Sequence, residues 1–113
     1  MNVKGQNRQK CDFQIRLLSY MVDGEQYPFS KMLIEKEFTE SEYIALVDLL
    51  ETLEVKYKEQ KEEGLLDFTS LLLHFAGMLN IKLNPDETIR ALWQEGFHRE
   101  LMEELDTIRK LQR

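Results

Sequence analysis

Two histidines (His74 and His98), one cysteine (Cys11) and 21 carboxylate side chains are the groups in this 113-residue chain that suit proton transfer, nucleophilic attack or metal ligation. A catalytic serine or cysteine needs a base within hydrogen-bond reach, and histidine alone has an ordinary pKa near neutrality. Neither histidine lies in a nucleophile motif. His74 stands between Leu73 and Phe75 in a segment that is apolar nearly all round, so it reads as a packed or interface histidine. His98 follows Gly96 beside Arg99 and Glu100 and reads as solvated. Glu95-Gly96-Phe97-His98 has the Glu-x-x-His spacing of di-iron bundles, which require two such strings on continuous helices. Here a glycine that ends or kinks the helix stands between the two ligands, and no second copy exists. A zinc tetrad would have to recruit carboxylates to one thiol and two separated imidazoles. No catalytic residue, metal site or cofactor is therefore assigned.

Those side chains must be held by helices. Leu, Glu, Lys and Met dominate, with only five Gly and two Pro, and such side chains lose little rotamer freedom in a helix. Residues 1–8 lack periodicity and are read as a disordered tail, leaving 9–113 as one helical domain. Phe13, Leu17, Tyr20 and Met21, with Leu18 and Val22, recur at helical spacing until Asp23-Gly24, where glycine suits a left-handed stop. Pro28 opens a short helix through Met32, Leu33 and Glu37. Thr39 and Glu42 form a capping box. From it Tyr43, Leu46, Val47, Leu50, Leu53 and Tyr57 run as one stripe toward Gly64, predicting a long central helix of about 24 residues. Asp67 caps a helix whose apolar residues surround the axis, expected to be central, with Ala76-Gly77 small enough for another helix to approach. Asn84-Pro85-Asp86-Glu87 is a further start signal. Ile89, Leu92 and Trp93 form the buried face there, and Gly96 ends or kinks that helix. Phe97, Leu101, Leu105 and Ile108 continue to a basic C-terminus. The fold class is all-α: a compact multihelical bundle of five or six helices.

The formal charge of −6 repels a phosphate backbone, which argues against nucleic acid. A lone cysteine forms no internal disulfide, and the polar N-terminus has no apolar signal region, so a reducing cytoplasm is expected. Apolar runs fall short of a bilayer span, and basic residues in the long helix alternate with glutamates, so no membrane association is expected. The five glycines stand singly rather than in a phosphate-binding loop.

Tyr27-Pro28-Phe29, Phe75-Ala76-Gly77 with Leu79-Asn80, Glu87-Thr88-Ile89 with Ala91-Leu92 and Gly96, and Glu100-Leu101-Met102-Glu103 occur in order. With that order and spacing the chain, from its first helix to Leu105, resembles the YhaI-like family of small uncharacterised proteins from Bacillus-type bacteria. The resemblance implies a helical, cytoplasmic, oligomeric protein and brings no functional residue with it.

Association is what the remaining features favour. Apolar stripes and the side chains of Tyr43, Tyr57, His74, Trp93 and Phe97 are the candidate interface or pocket. The expected function is a non-enzymatic homo-oligomer with an unidentified protein partner. The rival is a small-molecule or metal-binding bundle in which His74, Tyr43 or Tyr57 and a glutamate converge on a pocket.

Overall fold

The computed structural model describes the backbone of residues 3–111 and the side chains of residues 11–111. The chain runs α1 (Val3–Met21), α2 (Pro28–Glu35), α3 (Glu40–Glu62), α4 (Thr69–Met78), α5 (Pro85–Glu95) and α6 (Arg99–Leu111), with no strand among the described residues. The all-helical bundle agrees with the sequence reading. The tail expected over residues 1–8 falls on side chains outside the described ones; the backbone of α1 is recorded from Val3.

Local chemistry sets the helix boundaries. The Thr39 hydroxyl accepts from the Glu42 amide at 3.2 Å, and the Glu42 carboxylate accepts from the Thr39 amide at 3.0 Å. This satisfies two of the donors left without partners at a helix start. The helix runs 23 residues and stops where Gly64 turns left-handed at φ +81°. The Asn84 side chain accepts from the Glu87 amide at 3.1 Å while Pro85 occupies the first turn of α5. Gly96, at φ +96°, ends α5 with the Phe97 amide returning to the Leu92 carbonyl, so α5 and α6 are separate helices. The α1–α2 turn differs from expectation: Gly24 is not among the left-handed residues. The Asp23 carboxylate instead accepts from the amides of Glu25 and Gln26, making an Asx-type turn without glycine's special backbone.

One core joins α2 through α6. Leu46, Leu50, Leu53 and Tyr57 of α3 meet Leu71, Leu72 and Phe75 of α4, Ile89 and Leu92 of α5, and Leu101, Met102 and Leu105 of α6. The completely buried trio on α6, which packs on both α4 and α5, marks it as the element on which the bundle closes. Two expectations fail here. The α4 helix buries one face only, and Leu73 and Met78 are 65% and 67% exposed. No helix approaches Gly77: a Cβ placed there meets nothing within 4 Å. On α5, Thr88 and Ala91 join Ile89 and Leu92 in the buried face, whereas Trp93 is 42% exposed.

The largest departure is α1. Among the described residues it packs chiefly on α2, in a particle of 63 × 25 × 24 Å. The radius of gyration is 16.9 Å, against about 13 Å expected for a compact chain of this length. Its apolar stripe is largely exposed.

Candidate functional site

Helix geometry separates most of the candidate residues. Tyr57 is 2% exposed, its ring 4.9 Å from that of Phe68, and burial pushes its phenol above the usual range, with the Glu100 charge adding to the effect. Its ring is a core element. Tyr43 lies two turns before the buried Leu50, on the same side of α3, yet is 46% exposed because it sits in the first turn of the helix. His74 is half-buried on α4, with Nδ1 at 3.4 Å from Lys56 Nζ on α3. Lysine can only donate, so Nδ1 is the accepting atom in this contact.

Trp93 and Phe97 each have a different partner near the end of α5. The Phe97 ring meets buried Phe29 edge-on at 5.7 Å, and Arg99 places its guanidinium 5.3 Å from the Trp93 ring centre while its Nε donates to the Trp93 carbonyl. Both aromatics remain over 40% exposed. Phe97, expected to continue the buried stripe, is displaced by the left-handed turn at Gly96.

The Glu-x-x-His string is split. The Glu95 carboxylate accepts from the Ser30 amide at 3.0 Å and from the Ser30 hydroxyl at 2.6 Å, tying α5 to α2. His98, expected to be solvated, is half-buried. Its Nδ1 lies 3.7 Å from Glu54 Oε2 of α3, and its backbone is left-handed at φ +50°. The two potential ligands thus serve different helix junctions. Among the described residues, no group of three or more His, Cys, Asp or Glu side chains is placed to hold a metal ion. The Cys11 thiol is free and exposed.

Two open cavities line the surface. One of about 410 Å³ lies between α5 and α6, walled by Ile89, Arg90, Trp93, Glu103, Asp106, Thr107 and Lys110. The other, about 880 Å³, separates α1 from α2; Asp12, Ile15, Arg16, Ser19 and Tyr20 face Leu33, Ile34 and Phe38 across it. His74 and the two candidate tyrosines line neither. The walls of the α5–α6 groove are mixed acidic and basic.

The contiguous feature is apolar. On α1, Phe13, Leu17, Leu18, Tyr20 and Met21 are between 47% and 81% exposed. At about 100° per residue, the five α1 residues that face α2 occupy one side of the helix, and Leu17, Leu18 and Met21 stand on the other with Phe13 at the edge. Sequence reasoning found this stripe among those that favour association, but spacing reports which side is apolar and not what covers it. No helix is long and apolar enough to cross a membrane among the described residues. Comparison with known families matches residues 1–110 to the family described as "Protein of unknown function (DUF1878)". With nearly the whole length matched, the chain belongs to the DUF1878 family.

Proposed function

We propose that this protein is a non-enzymatic helical module that self-associates and, as an assembly, presents a surface to another protein. The observation that carries the reading is the outward apolar face of α1, where Leu17, Leu18 and Met21, with Phe13 at the edge, stand away from α2 and exposed. Contiguous exposed apolar surface of this kind marks association sites, and closed homo-oligomers are the commonest way to cover it. The groups most suited to chemistry are engaged structurally, Glu95 by Ser30 and His74 by Lys56. The resemblance to the YhaI-like proteins of Bacillus-type bacteria, and a bacterial cytoplasm as the place of action, belong to the same reading. Sedimentation velocity over a dilution series tests it. A species of twice or more the 13.5 kDa chain mass that dissociates on dilution is expected, and a single monomeric boundary at every concentration overturns it.

A further inference from the structure

We infer that His98 and Glu54 form a proton-operated clasp that fastens the α5–α6 turn to α3, closed when the imidazole is charged and open when it is neutral. The clasp belongs to the bundle's own joints and is independent of the self-association reading above. Three observations meet at this corner. Glu54 Oε2 is enclosed and accepts no hydrogen bond from the protein, a costly state for a buried carboxylate oxygen. His98 Nδ1 lies 3.7 Å from it, with the two side chains 25% and 23% exposed, too far for a hydrogen bond and near enough for an ion pair. His98 also holds a left-handed backbone at φ +50° immediately before α6, a strain that recurs where a side chain is held in place for a purpose.

The other charges near the pair are engaged elsewhere or solvated. On α6, Arg99 turns to the ring and carbonyl of Trp93, and Glu100 meets Lys61 of α3, with the Lys58 charge also acting on it. On α5, Glu95 holds Ser30 of α2; on α4, His74 meets Lys56. Glu51 and Lys58, a turn to either side of Glu54 on α3, are exposed. The start of α6 opposes a cation at His98 with roughly half a positive charge spread over its first turn. The whole negative charge of Glu54 at 3.7 Å outweighs it.

A neutral ring presents a lone pair or a proton at Nδ1 according to its tautomer, whereas the imidazolium always presents an N–H there together with the charge that Glu54 lacks. Charging the ring therefore draws the gap closed into a charge-assisted hydrogen bond. The folded chain then takes up this proton more readily than the unfolded one. The clasp's contribution to stability is accordingly full below the ordinary histidine range and lost as pH rises through and above it.

The test follows the histidine Cε1 protons of the full chain by NMR between about pH 5 and 8, first folded and then in denaturing urea. The His98 resonance is the one that disappears in His98→Asn, a substitution that tolerates the left-handed backbone. Its midpoint is expected to be higher in the folded chain than in the unfolded one. Glu54→Gln, which keeps the shape and removes the charge, is expected to lower the folded midpoint by roughly 0.5 pH unit. In urea unfolding, the wild type is expected to gain stability over His98→Asn as pH falls across the same range. A folded midpoint at or below the unfolded one, a midpoint that Glu54→Gln leaves in place or raises, or an identical pH dependence of stability in wild type and His98→Asn overturns the clasp. Should Glu54→Gln fail to fold, the comparison of folded and unfolded midpoints in the native chain decides.

Discussion

Glu42 shows how much one side chain does in this fold. Its carboxylate closes the capping box of α3, accepts from Asn80 at 2.9 Å, and meets the Lys82 ammonium at 2.7 Å, tying the start of α3 to the α4–α5 loop. The Lys82 hydrogen bond, followed by the Thr39 amide and Asn80, lowers its pKa from 4.5 to about 2. A carboxyl whose folded pKa is depressed contributes stability that is present above its unfolded value and lost as pH falls through the folded value. Unfolding followed by circular dichroism is therefore expected to show stability declining between pH 4.5 and about 2, and Glu42→Gln should flatten that decline while lowering stability at pH 7. Backbone strain gives the opposite sign at Glu37, which sits at φ +54° where α2 ends. Its amide and that of Phe38 close the helix end onto Ile34 and Leu33. Glycine keeps those amides and removes the Cβ penalty, so Glu37→Gly is expected to raise stability by about 1 kcal/mol in urea unfolding. The same conformation at His98 comes with a side-chain contact to Glu54, which glycine would delete.

Among the elements, starts and stops are the most legible part of the sequence because their chemistry is local. Thr39 with Glu42, Asn84-Pro85, Gly64 and Gly96 each act within four residues of themselves, and each marks an observed boundary. Burial is less legible because it depends on which neighbours arrive. The α4 sequence is apolar around its whole circumference, yet α3 and α6 cover only one side; Trp93 and Phe97 fit the expected stripes and lie on the rim. The burial of His98 is hidden for the same reason: its partner, Glu54, is remote in sequence. The separate α5 and α6 predict that Gly96→Ala, forcing a Cβ into φ +96°, lowers unfolding free energy by about 1–2 kcal/mol. Truncating the keystone, Leu105→Ala at a fully buried side chain of α6, should cost about 2–5 kcal/mol by the same denaturant titration.

At the scale of the molecule, a six-helix chain has closed a core from five helices and left the first outside it. The candidate site legible in the sequence is a scatter of aromatics and a histidine. What the three-dimensional arrangement adds is the apolar arm, hidden in the sequence because an amphipathic helix looks the same whether its stripe meets its own chain or another. In an isolated monomer α1 would be held chiefly by α2, and its amides would exchange faster than those of the core helices. In the assembly they would be buried against a second copy.

Hydrogen exchange of the full chain, measured at low and high protein concentration, tests self-association through the α1 face most directly. Protection of the amides of residues 13–21 should rise with concentration while that of α3 and α6, set by the monomer's core, stays constant. Exchange across 13–21 that is rapid and identical at every concentration would contradict it.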